Sequence, residues 1–215
     1  MLQRIYLALR NLAYKNRRQV GSGNQMLLPR SAERLMKKTT IRLKGRNNQL
    51  LIGEGCNITN CDIRLYGDDN LIEIGPNVRF KSGRIFLLEG RGQHIRIGAD
   101  TTVEKAFLYI DESANIDIGC DCMLSTEIVI RTGDEHSIID VNSGGRLNPS
   151  RDVQVGDRVW IGRAVQVLKG SSLLSESVVA ACSVVTKSFD EGNCVVAGVP
   201  AKIVKRGIRW DRAKL

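Results

Sequence analysis

Aromatic residues make up only 5% of this 215-residue chain, and histidine occurs just twice. Glycine is plentiful, at 21, and the apolar residues are mostly Ile, Val and Leu. That mixture favours short strands and many tight turns over a helical bundle. Zinc-binding spacing is missing as well. Of six cysteines only Cys120 and Cys122 lie close together, one residue apart and with no second pair, so no metal site is expected. Long apolar runs are also lacking near the start. Arg4 and Arg10 interrupt residues 1–18, which leaves no signal-peptide core or spanning helix. Reduced thiols in a cytoplasmic protein are the expectation.

What the chain does have is charge, unevenly spread. Residues 1–46 carry twelve Lys/Arg against Glu33 alone, and residues 202–215 carry six against Asp211. The remainder is mildly acidic, although the whole chain is +9. Basic ends of this kind suit phosphates, anionic lipid, an acidic polymer or nucleic acid; they also suit a solvated tail that aids solubility. Within the first of these ends, Leu2, Ile5, Tyr6, Leu9, Leu12 and Ala13 follow helical spacing, which predicts an amphipathic basic helix. Such a helix caps an open edge of the fold or lies against a membrane or anionic polymer.

The strongest signal is an internal period. From Val153 onward an aliphatic residue recurs every sixth position, at Val155, Ile161, Val167, Leu173, Val179 and Val185. Shorter runs precede it: Ile52 and Ile58; Ile74, Phe80 and Phe86; Ile97, Val103 and Tyr109; Ile118, Leu124 and Ile130. Two residues before many of these stands another small or aliphatic side chain, for example Cys56, Val78, Thr101, Cys122, Val159, Ser171, Ser177 and Ser183. Neither the helical period nor simple alternation fits. A six-residue unit with two inward positions is a short strand and a turn, and it cannot bury its apolar face alone. Units of this kind must coil and stack into a solenoid. The predicted fold is therefore all-β. Cys56 and Cys122 fall at inward small-residue positions, where packing explains them better than reactivity does.

The period stops after Ile130 and resumes at Val153. Between them RTGDEHSIIDVNSGGRLNPSRD, residues 131–152, has no repeat and contains Gly133, Gly144, Gly145 and Pro149. A long excursion from a solenoid is where function is expected to sit, and His136 lies at its base.

The six-residue period, VGDRVWIG at 155–162, SVVTK at 183–187 and VVAGVPAKIVK at 195–205 together resemble the hexapeptide-repeat acyltransferases. Within them, GCDCMLSTEIVIRTGDEHSIID at 119–140 is most similar to the bacterial polysialic-acid and capsule O-acetyltransferases, with their D-x-H-S segment. The resemblance implies a left-handed parallel β-helix over residues 49–206, after an N-terminal helix and basic extension over 1–48 and before a tail at 207–215. It also implies a homotrimer, acetyl-CoA bound between neighbouring subunits, and a glycan or sugar acceptor rather than nucleic acid.

Acetyl transfer from a thioester to a hydroxyl needs a base, an oxyanion partner and a positioned donor. Imidazole titrates near neutrality and suits the first role. The resemblance assigns that base to His136. Asp134 or Glu135 would orient the imidazole, bind a sugar hydroxyl or simply meet solvent. His94 falls in a corner insertion and is expected to be solvated. Trp160 takes an outward repeat position, odd for a large ring in a monomer. The resemblance makes it an active-site residue; a plain trimer contact is the other reading. By the same resemblance Arg163, Ala181, Thr186, Lys187, Lys202 and Lys205 contact CoA, the lysines at its phosphates. One departure stands out: no proline follows Thr186–Lys187, and SFDEGN is one residue longer than usual. Direct transfer in a ternary complex is favoured over an acyl-cysteine on Cys122. The implied function is acetyl-CoA-dependent O-acetylation of a capsular or surface polysaccharide, polysialic acid foremost, at the inner membrane face. The rivals are another small acceptor (a sugar amine, free sugar, serine or foreign compound) and a non-catalytic polymer-binding β-helix.

Overall fold

Inward-facing aliphatic side chains set the architecture. In the computed structural model, which describes residues 14–214, the six repeat positions from Val155 to Val185 are each at most 4% exposed. Their small partners Val159, Val165, Ser171, Ser177 and Ser183 are buried too. The interior serines are not orphaned: Ser171 Oγ donates to Val185 O at 3.1 Å, and Ser177 Oγ lies 3.6 Å from Cys194 Sγ. The complete coils each contribute one strand to each of three sheets, parallel except for the closing hairpin of the third, so the solenoid is a three-sided prism. Sheet I runs from strand Arg17–Val20 to Val184–Val185, sheet II from Gln25–Leu27 to Ser172–Leu173, and sheet III from Asn57–Ile58 to Ala201–Arg206. Along the chain the faces come in the order I, II, III. Among the described residues no helix is long and apolar enough to cross a membrane.

Register measures the coils. Gln49 pairs with Leu71 and Leu71 with His94, giving early coils of 22 and 23 residues. Later Trp160 pairs with Val178 and Gln166 with Val184, giving coils of 18. Between these regimes Met123 pairs with Trp160, 37 residues on, because that coil holds the excursion. The glycines that follow the sheet II aliphatics, such as Gly75, Gly98 and Gly119, stack at the corner between sheets II and III. A Cβ on Gly98 would lie 2.5 Å from the amide nitrogen of Cys120 in the next coil, too close for any side chain.

Three expectations change on inspection of the structure. Parallel pairing starts at Arg17, which pairs with Thr40, so the solenoid begins well before residue 49; the short helix Arg30–Leu35 takes the place of a sheet III strand in the first coil. Phe86 and Tyr109 do not point inward. The sheet I strands Gly83–Leu87 and Ala106–Ile110 have five residues, and alternation places Ile85, Leu87, Leu108 and Ile110 inside. Phe86 is still covered, by Arg64 at 4.6 Å from its ring and by Phe107 edge-on at 5.4 Å. His94 is not solvated either; its Nε2 sits 3.1 Å from both carboxylate oxygens of Asp117. The predicted amphipathic helix at residues 2–13 lies outside the described residues.

A polar ladder, unforeseen in the sequence, lines the corner before sheet II. Asn24 Oδ1 accepts from Asn48 N, Asn48 Oδ1 from Asn70 N, and Asn70 Oδ1 from Gln93 N. Asn48 and Asn70 also donate to carbonyls of neighbouring turns. Gln93 is one methylene longer, and its buried amide nitrogen and oxygen find no partner among the described residues. Leaving such groups unmet costs about 1–3 kcal/mol. Gln93→Asn should therefore stabilise the protein by about 1–2 kcal/mol, seen as a higher urea midpoint at unchanged m.

Candidate active site

The excursion leaves sheet I after strand Ile128–Arg131 and re-enters sheet II at strand Val153–Val155. Short, specific contacts shape its base. Thr132, fully buried, exchanges hydrogen bonds through its hydroxyl with Asp111 N and O. Glu135 takes a left-handed φ of 64°, and its N–H donates to Asp111 Oδ2 at 2.6 Å. Asn148 is the latch. Its Nδ2 donates to His136 O and to Asp134 Oδ2, both at 2.8 Å, and its Oδ1 accepts from Ile138 N at 2.6 Å. Lys169 closes the far side with 2.5 Å to Asp134 Oδ2, and Arg146 pairs with Glu112.

This arrangement fixes the backbone at His136 and leaves its exposed imidazole without a hydrogen bond among the described residues. Neither neighbouring acid orients the ring: Asp134 serves Lys169 and Asn148, and Glu135 pairs with Arg131 at 3.0 Å. The Lys169 ammonium first, then the Asn148 amide, holds the Asp134 carboxyl below its ordinary range. A depressed carboxyl pKa stabilises the latch above the ordinary carboxylate value, and that support is lost only as pH falls below it. The latch is thus intact at neutral pH. Asn148 and Lys169 were not picked out in the sequence. The Asn-Pro step at 148–149 was the one local cue, and Lys169 has none.

Trp160 points outward from sheet III between Met123 and Val178 and is 38% exposed. It borders a groove of about 770 Å³ whose walls include Arg79, Lys81, Thr102, Met123 and Arg212. The chain's other tryptophan, Trp210, packs beside it, with ring centroids 6.2 Å apart.

His136 and Trp160 do not meet within one chain. His136 projects from the corner between sheets I and II, which lies opposite sheet III in a three-sided prism. The candidate CoA residues divide as well. Arg163 and Ala181 stack at the corner between sheets III and I, where Cys182 N donates to Arg163 O at 2.8 Å. The turn of the terminal hairpin is tied to that corner by Gly198 N donating to Ser183 Oγ at 3.1 Å. Lys202 and Lys205 lie on the hairpin's outer strand, exposed and without ion pairs among the described residues. Arg163 is engaged with Glu127 at 3.1 Å. Thr186 and Lys187 sit across sheet I at the next corner, with the Lys187 ammonium 5.4 Å from the centre of the Phe189 ring.

Cys122 faces the interior and is fully buried; desolvation pushes its thiol up to about 11. A buried, protonated thiol is a poor nucleophile, which leaves no route through an acyl-cysteine at this position.

No protein-family model matches the chain. It is 39% identical over 182 residues to a polysialic acid O-acetyltransferase of Neisseria meningitidis, covering 85% of this chain and 84% of that one. It is 34% identical over 141 residues to a polysialic acid O-acetyltransferase of Escherichia coli O1:K1, spanning 66% of this chain but 45% of that longer protein. The solved structure of the polysialic acid O-acetyltransferase OatWY superposes with a TM-score of 0.79 at 34% identity, covering 93% of this chain and 89% of that one. The parallel solenoid is the left-handed β-helix of these enzymes. On fold, identity and coverage together, the chain belongs to the hexapeptide-repeat O-acetyltransferases, in the polysialic acid O-acetyltransferase family.

Proposed function

We infer that this protein transfers acetyl from acetyl-CoA to a hydroxyl of an anionic capsular polysaccharide, with polysialic acid as the acceptor. The observation that carries this reading is His136, whose backbone is latched by Asn148 while its exposed imidazole makes no hydrogen bond among the described residues. Acetyl-CoA supplies an activated thioester. His136 removes the proton of the sugar hydroxyl as its oxygen bonds to the acetyl carbon, and returns that proton to the departing thiol. Trp160 offers its indole N–H to the charge that develops on the carbonyl oxygen. Lys202 and Lys205 suit the donor's phosphates, being exposed cations without ion pairs among the described residues, on the hairpin tied to the Arg163–Ala181 corner; Thr186 and Lys187 would meet the donor at the next corner, across sheet I.

Because His136 and Trp160 lie on opposite sides of one prism, the site needs two subunits, and a closed homotrimer supplies three such pairings. The excursion supports this. Its Ile138, Val141 and Leu147 are 56%, 95% and 59% exposed, apolar surface that a neighbouring copy would cover. The basic ends would draw the acidic polymer to the enzyme at the cytoplasmic face of the membrane. Free-thiol release from acetyl-CoA tests the reading: polysialic acid should stimulate it and neutral glycans should not. Equal rates with and without every glycan would overturn it.

A further inference from the structure

One exposed segment carries a dense set of contacts that no pattern in the sequence marked out. After strand Ala201–Arg206 the chain turns at Gly207 and runs back down the outside of sheet III. Ile208 exchanges hydrogen bonds with Asn193 at 2.9 and 3.1 Å. Trp210 is only 5% exposed although it lies outside the solenoid, and its Nε1–H donates to Arg158 O at 2.5 Å. The guanidinium carbons of Arg158 and Arg212 flank its ring at 5.3 and 5.7 Å. Arg212 then reaches two coils further, donating to Asp121 Oδ1 at 2.9 Å, Thr102 Oγ1 at 2.8 Å and Cys122 O at 2.9 Å. Arg158 binds the other oxygen of Asp121 at 2.5 Å, and Glu176 at 2.6 Å.

These contacts converge on Trp160. Its indole stands outward on sheet III between Met123 and Val178 and is 38% exposed. Trp210 packs beside it at 6.2 Å and 48° between ring planes, while Arg212 lines the same groove. We propose that Trp210 is the positioning residue for Trp160, and that segment 207–212 is a wall of the acetyl-transfer groove. Trp210 touches no reacting atom; clamped by Arg158 and Arg212, it fixes the direction of the Trp160 N–H. This rests on Trp160 being a site residue.

The two tryptophans are the only ones in the chain, so each single-tryptophan variant reports on the other. Trp210→Ala should lower kcat about 10- to 100-fold with KM for acetyl-CoA within about twofold, the signature of a misplaced group. Trp210→Phe, which keeps a flat ring, should recover most of kcat. Acrylamide quenching of Trp160 should be about two- to threefold stronger in Trp210→Ala than in Trp210→Phe, which keeps the ring. Should Trp210→Ala not fold, Trp210→Leu keeps the apolar volume without the ring and carries the same expectations. Wild-type kcat in the ring-less variant, with Trp160 quenched no more than in Trp210→Phe, overturns the proposal. If Trp160→Ala retains wild-type kcat, the fault lies in the reading of Trp160; if that variant is impaired and the Trp210 variants are not, the fault lies in the positioning role.

Discussion

Replacing His136 by alanine is expected to lower kcat by about 10²–10⁴, the usual loss when a general base is removed. The midpoint of unfolding should barely move. The imidazole is exposed and makes no hydrogen bond among the described residues, so folding has nothing to lose there. KM for acetyl-CoA should also hold, because the candidate phosphate contacts Lys202 and Lys205 lie on the terminal hairpin, which is tied to the corner between sheets III and I. Steady-state kinetics beside a urea titration separates these outcomes. A His136→Ala enzyme with near-normal kcat would remove the base from the account.

Asn148→Ala is expected to cost about 10- to 100-fold in kcat, though it touches no substrate. One side chain holds the His136 carbonyl, the Ile138 amide and the Asp134 carboxylate together, and alanine releases all three. The excursion lies outside the packed interior, so global stability should change far less than activity. Asn148→Asp should be worse than alanine. It cannot donate to the His136 carbonyl and sets a second carboxylate against Asp134, whose ionised form Lys169 favours. Hydrogen exchange across residues 133–148 should quicken in both variants; unchanged exchange with lost activity would assign Asn148 a direct chemical role instead.

The solenoid could be read from the sequence because stacking imposes a period on composition. Each coil must bury the same positions, and Val155 to Val185 show that constraint without interruption. The reading slipped where the physics allows two answers. Five-residue strands on sheet I alternate inward and outward, so Phe86 and Tyr109 matched the six-residue count while facing out. Residues 17–48 looked non-repetitive because their coils are longer and one face is a helix, yet their strands pair in register. At the site, the repeat break exposed His136 and the outward position exposed Trp160, both local signals. Asn148, Lys169 and Trp210 act through contacts 12 to 52 residues away, and no local pattern encodes such partners. The separation of His136 from Trp160 likewise appears only once the three faces are assigned.

That separation is the centre of the account, and subunit mixing tests it most directly. His136→Ala and Trp160→Ala chains, carrying different tags, are each nearly inactive alone. Co-assembled at equal amounts, a trimer with shared sites restores about a quarter of its subunit pairings, those that join an intact His136 to a neighbour's intact Trp160. The doubly tagged trimers, each with one intact pairing of three, should then show about a third of wild-type activity. Doubly tagged trimers no more active than either parent would contradict a site shared between subunits.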